Sequence, residues 1–118
     1  TVKLAAGTWD SGVFRSSGDG GRARDATMAY PKGIAVDESN TFYVTEFYGA
    51  RVRAVTTAVE IFTCAGTGSQ NYSGDGSIAS DATVSMPSAV AFSPVKGGKM
   101  AIADFGNNDV RVVTPSCL

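Results

Sequence analysis

The chain contains no histidine. That absence removes the Ser-His-Asp and Cys-His arrangements of nucleophilic catalysis and every His-rich zinc or copper site, even one assembled from several copies. Cysteine is nearly as scarce. Cys64 and Cys117 are the two present, too few for a disulfide scaffold and without metal-ligand spacing, so two isolated thiols are expected, with a single bridge as the alternative. Long apolar runs are missing too, which predicts no membrane-spanning helix, and the opening TVKLAAGTWD lacks the charged, apolar and cleavage regions of a signal peptide. Neither sign of charge prevails. Ten basic and eleven acidic residues give a formal net charge of −1, leaving no basic stripe to neutralise a phosphate backbone, so neither nucleic acid nor a membrane is an expected partner.

What is present is the composition of an ordinary soluble domain: 43% hydrophobic and 18% charged residues in 118, enough for one core. The chain also repeats itself. SSGDGGRARDATMAYPKGIAVD at 16–37 lies over YSGDGSIASDATVSMPSAVAFS at 72–93, so that Asp19 and Asp75, and Pro31 and Pro87, are each 56 residues apart. The match continues from FYVTEFYGARVRAVT (42–56) to MAIADFGNNDVRVVT (100–114), now at a spacing of 58. The two extra residues fall among Pro94, Gly97 and Gly98, where a turn absorbs them. Upstream, AAGT at 5–8 recurs as CAGT at 64–67.

Each copy reads as four short extended segments: GIAVD (33–37), FYVTE (42–46), RVRAVT (51–56) and EIFTCAG (60–66) in the first. They are rich in β-branched and aromatic residues and bounded by Gly, Asn, Pro or Ser. In a hairpin, Phe42, Val44, Arg53 and Val55 share one face and Tyr43, Thr45, Val52 and Ala54 the other. Neither face is consistently polar, the pattern of a sheet packed on both sides. The expected fold is all-β, with two four-stranded antiparallel propeller blades.

The run AGTGSQNYSGDGSIASDATVSMPSAVAF followed by MAIADFGNNDVRVV resembles the SGDG-containing form of the NHL repeat, and the resemblance covers nearly the whole chain. The first copy departs from it where Glu46 replaces the usual Asp and where Gly49 and Ala50 replace the turn kept as Asn107 and Asn108. The resemblance implies a propeller, commonly six-bladed. Its members serve as protein-interaction platforms, sometimes as RNA binders, and in relatives as enzymes, so the family alone selects no function.

Residues 1–8 read as the fourth strand of a preceding blade, 33–66 as one full blade, and 88–114 as the first three strands of the next. Complementary ends of this kind predict a head-to-tail homotrimer closing a six-bladed ring; the alternative is a piece of a longer propeller.

Single residues follow from this frame. Asp19 and Asp75 of the SGDG elements are expected to accept backbone N–H bonds in a tight turn, since one carboxylate each makes neither a phosphate loop nor a calcium loop. Asp25 and Asp81 are expected as loop caps. Glu46 and Asp104 end second strands, and Arg53 and Arg111 sit on third strands, where acid and base lock each blade. Asp37, Glu38 and Asn40 offer oxygen ligands for an axial metal, but Ser93 and Pro94 replace the first two in the second copy.

Aromatic side chains at loop positions are the binding candidates: Trp9, Phe14, Tyr48 and Phe105, with Tyr30 and Phe47 beside them. No cofactor is expected. The leading function is a noncatalytic scaffold that binds a protein or other ligand. A multivalent glycan-binding assembly is the alternative, and an axial metal-dependent hydrolase or lyase comes third.

Overall fold

A computed structural model describes residues 1–8, 15–93, 98–114 and 117. Within them the chain is all-β. Strands β1 (Pro31–Val36), β2 (Phe42–Glu46), β3 (Arg51–Val55) and β4 (Ile61–Ala65) form one antiparallel sheet in that order. Strands β5 (Pro87–Phe92), β6 (Met100–Asp104) and β7 (Asp109–Val113) form a second. Helix is confined to three single turns of 3-10 type at Ala23–Asp25, Ala79–Asp81 and Phe105–Asn107. Among the described residues no helix is long and apolar enough to cross a membrane.

The sequence repeat is also a repeat of register. Val44 lies opposite Arg53 and Ile102 opposite Arg111, and both first strands carry the same irregularity, between Pro31 and Gly33 and between Pro87 and Ala89. Each proline opens the outermost strand of its sheet, the place where a missing N–H disturbs no ladder. The first strands therefore begin at Pro31 and Pro87, slightly ahead of the expected 33 and 88.

The two sheets pack face to face. Tyr43, Val52, Ala54, Cys64 and Ala65 of the first meet Val90, Met100 and Ile102 of the second, and all are buried. The Tyr43 and Phe92 rings stack at 4.5 Å between centroids. Gly33 permits this approach, because a Cβ there would lie 2.7 Å from the Ser88 carbonyl oxygen and 2.8 Å from the Ala89 Cα. On the outer side of the first sheet, Val55 and Ile61 are covered by Ala23 and Ala26 of the linker, with Ala6, Met28 and Phe42 around them.

Residues 1–8 pair with no strand among the described residues; Gly7 donates its N–H to the Ala23 carbonyl at 2.8 Å. One expectation needs correcting: the cysteines are not isolated thiols. Cys64 on β4 and Cys117 beyond β7 form a disulfide, with Cα atoms 4.8 Å apart. Linear spacing hides this pair, since it is sheet-on-sheet packing that brings the end of the second sheet back to β4. A bridge closing a 53-residue separation restricts the unfolded chain. Cys117→Ser, or reduction, is expected to lower stability by about 2–4 kcal/mol in denaturant titrations compared with and without reductant.

Candidate functional site

The most heavily built part of each repeat is a guanidinium. Arg53, on β3, is completely buried, as is Glu46 at the end of β2, and they pair at 2.8 Å. A buried charge must be neutralised and its donors satisfied, and the linker before β1 supplies what is needed. Arg53 Nε donates to Asp19 Oδ1 at 2.9 Å, Nη1 to Ser16 Oγ and the Thr27 carbonyl, and Nη2 to the Ser17 carbonyl. Glu46 accepts the Ala29 N–H at 2.7 Å with its other oxygen. The linker backbone passes close behind: Gly18, at φ +91°, leaves no room for a Cβ, which would sit 2.8 Å from the Ala26 Cα.

Arg111 repeats the arrangement. It pairs with Asp75 at 2.8 Å and Asp104 at 3.3 Å and donates to the Thr83 and Ser73 carbonyls. Gly74, at φ +87°, is needed for the same reason, since a Cβ there would lie 2.6 Å from the Ala82 Cα. The two copies differ by a compensated exchange. Glu46 is one methylene longer than Asp104, and a Cβ on residue 49 would lie 2.7 Å from its Oε1, so Gly49 makes room. The shorter Asp104 leaves a space that Asn107, the counterpart of Gly49, fills by donating its amide at 2.8 Å. The differences between the copies at Glu46/Asp104 and Gly49/Asn107 are thus one change.

Asp19 and Asp75 bond guanidinium and hydroxyl groups, not the turn amides expected for them. Asp19 Oδ2 accepts the Thr63 hydroxyl and Asp75 Oδ2 the Tyr72 hydroxyl. The Tyr72 bond holds the Asp75 carboxyl below its ordinary range and raises the Tyr72 phenol. Asp25 and Asp81 are exposed on the two linker turns, Asp25 3.8 Å from Arg22. Asp37, read as a metal ligand in one reading, accepts the Ser39 and Thr41 amides and the Tyr43 hydroxyl. Burial foremost, then the Asp37 charge and hydrogen bond, pushes the Tyr43 phenol up to about 12. Among the described residues no three His, Cys, Asp or Glu side chains gather as a metal site.

A different cluster lies at the edge where β1 begins and β2 ends. Phe47 is its buried centre. Tyr30, Tyr48 and Phe105 surround it with ring centroids at 5.7, 5.1 and 5.9 Å, and Tyr30 meets Tyr48 edge-on at 5.2 Å. Lys32 holds its ammonium 4.3 Å from the Phe47 centroid, a cation–π contact. The three outer rings remain 48–60% exposed. The platform is held by its backbone: Phe47 and Tyr48 donate to the Tyr30 and Ala29 carbonyls, while Gln70 donates to the Phe47 and Tyr48 carbonyls and accepts from the Met86 N–H. Tyr30 itself sits at φ +60°, a sparsely populated conformation that the flanking bonds hold in place.

Of the four aromatic candidates, Tyr48 and Phe105 join this platform, and Trp9 and Phe14 lie outside the described residues. Lys32 and Gln70 were missed. For Lys32 the signal was a difference between the copies: Tyr30, Lys32 and Tyr48 correspond to Met86, Ser88 and Gly106, while the ionic locks are duplicated and Phe47 recurs as Phe105; Gln70 carried no such signal.

Removing Arg53 strands the fully buried Glu46 and removing Arg111 the fully buried Asp104, but Arg111 is itself slightly exposed and Asp104 keeps the Ser85 N–H and the Asn107 amide. Arg53→Ala is expected to cost about 3–5 kcal/mol and Arg111→Ala less, by chemical denaturation. Arg53→Lys should recover little, since one ammonium cannot replace a planar fork.

The chain matches no protein-family model. Its fold is similar to that of an auxiliary nutrient binding protein from Bacteroides thetaiotaomicron, with a TM-score of 0.69 at 20% sequence identity over 93% of this chain. The chain spans 28% of that protein's length.

Proposed function

We propose that the chain is a noncatalytic binding module of NHL type: two adjacent blades of a β-propeller, closing through complementary end strands and presenting the aromatic platform to a protein ligand. One observation carries the binding role. The ionic locks occur twice and Phe47 recurs as Phe105, whereas Tyr30, Lys32 and Tyr48, which gather these two rings into one exposed cluster spanning both sheets, occur once. Large rigid rings beside one cation give much contact area at small entropic cost. The propeller reading draws support from sheets of equal register stacked on unlike faces, and from the aligned share of the longer structural neighbour. Two blades make up roughly a quarter to a half of a ring of four to eight.

A glycan is the second reading. Flat rings stack on sugar faces, and Lys32 offers donors beside them; the neighbouring fold belongs to a protein described as nutrient binding. Repetition around a ring would add avidity.

The two readings are separated by probing the chain against a displayed peptide library and a glycan array. The Tyr48→Ala/Phe105→Ala variant is expected to lose about tenfold or more in affinity for whichever ligand is selected, with its circular dichroism unchanged. Selected ligands that bind this variant as tightly as the parent chain would remove the platform from the proposal.

A further inference from the structure

Folding accounts for much of the polar chemistry of the two linkers, and comparing the copies shows what it leaves over. Ser17 shares a hydroxyl hydrogen bond with Thr27 at 2.7 Å and Ser73 with Thr83 at 2.8 Å, so the serine has the same task twice. Two residues earlier the copies part. Arg15 of the first linker is replaced by Asn71 in the second, which turns Arg15-Ser16-Ser17 into Asn71-Tyr72-Ser73. That triplet is Asn-X-Ser with X other than proline, the acceptor sequence for N-linked glycosylation. The remaining asparagines, Asn40, Asn107 and Asn108, are followed two places on by Phe42, Asp109 and Val110, and none begins such a triplet.

The fold presents this asparagine as an acceptor must be presented. Asn71 is exposed, at a bend outside the strands. Its backbone is pinned on both sides: Gln70 forms a bridge to Val84 and anchors its amide on the Phe47 and Tyr48 carbonyls, Ser73 forms a bridge to Thr83, and the Asn71 carbonyl accepts the Asn107 amide at 3.1 Å. The side chain itself is engaged at one end only. Oδ1 accepts the Tyr72 N–H at 2.8 Å, whereas Nδ2 has no hydrogen-bond partner among the described residues. A sugar on Nδ2 therefore displaces no contact and leaves the Oδ1 bond in place. Nor does the exposure depend on an unfinished sheet, because the counterpart Arg15 is exposed beside the complete four-stranded one.

An independent observation names the compartment. The Cys64–Cys117 bridge is of a kind formed and kept in oxidising surroundings, the lumen of the secretory pathway and the cell exterior among them, and rare where cellular thiols are held reduced. Asn-linked glycans belong to the surface loops of proteins that take the same route.

We propose that Asn71 is an N-glycosylation site and that the chain passes through the secretory pathway, where bridge and glycan are both made. In the transfer, Nδ2 attacks the anomeric carbon of an oligosaccharide carried on a lipid diphosphate. The C–O bond to the diphosphate breaks, the lipid diphosphate leaves with the electron pair, and Nδ2 gives up one of its two protons to a base of the transferase. The Ser73 hydroxyl, part of the triplet the transferase reads on the extended chain, turns to Thr83 on folding.

The test is the full chain sent through the secretory pathway of cultured animal cells behind a cleavable leader, and recovered from cells and medium together. Mass spectrometry is expected to find a glycan on most of the chains, removed by peptide-N-glycosidase with conversion of Asn71 to aspartate. Asn71→Gln should carry none, and Ser73→Thr, which keeps a hydroxyl for Thr83, at least as much as the parent. The glycosylated chain should retain the Cys64–Cys117 bridge and the circular dichroism of the bare chain. A chain that completes the passage with Asn71 unmodified overturns the proposal, and so does a glycosylated chain that no longer folds. The protein isolated from its own source supplies the second arm: the same conversion at Asn71 is expected there, and an unmodified asparagine overturns the proposal as well.

Discussion

A buried guanidinium organises each repeat. Arg53 draws together the end of β2, the middle of β3 and a linker more than 30 residues earlier in the chain, and Arg111 does the same in the second copy. An ionised side chain in a dry interior tolerates few geometries, so these contacts fix where the linker crosses the sheet. That crossing in turn sets the direction in which the next first strand begins, and with it the stacking of one sheet on another. Apolar burial holds the sheets together; the ionic centre specifies how.

Duplication inside one chain provides a control that a single domain lacks. Gly18 and Gly74, Asp19 and Asp75, and Arg53 and Arg111 perform the same task twice, and even the exchange of Glu46 and Gly49 for Asp104 and Asn107 preserves it. Such residues are explained by folding. Tyr30, Tyr48 and Lys32, which surround Phe47, have no aromatic or basic counterpart in the other copy, and folding alone does not call for them. Tyr72 belongs to a third kind: it gives Asp75 the hydroxyl that Asp19 receives from Thr63.

The all-β class and the extended segments were legible because period-two runs and turn residues act locally, and the internal repeat fixed their order. The acid–base partners on β2 and β3 were legible for the same reason, being diagonal neighbours on one face of a hairpin. The reach of Arg53 to Asp19 was not, because it depends on a linker folding back over the sheet. Nor was the Cys64–Cys117 bridge, which requires the packing of two sheets. Lys32 and Gln70 escaped notice because each looks like an ordinary surface residue; only their contacts with the Phe47 ring and the Phe47 carbonyl mark them. Residues 2–8 have the pattern of a strand but no ladder partner among the described residues, and pattern alone cannot supply one.

At the centre of this account is a buried guanidinium that fixes where the linker crosses each sheet. Amide hydrogen exchange on Arg53→Ala, compared with the parent chain under conditions where both are folded by circular dichroism, tests that most directly, with β6 as the internal reference. The Gly20, Ala23 and Ile61 amides, which bond between linker and first sheet, are expected to lose protection in the variant while β6 keeps its own. Linker amides as protected in the variant as in the parent chain would contradict the account.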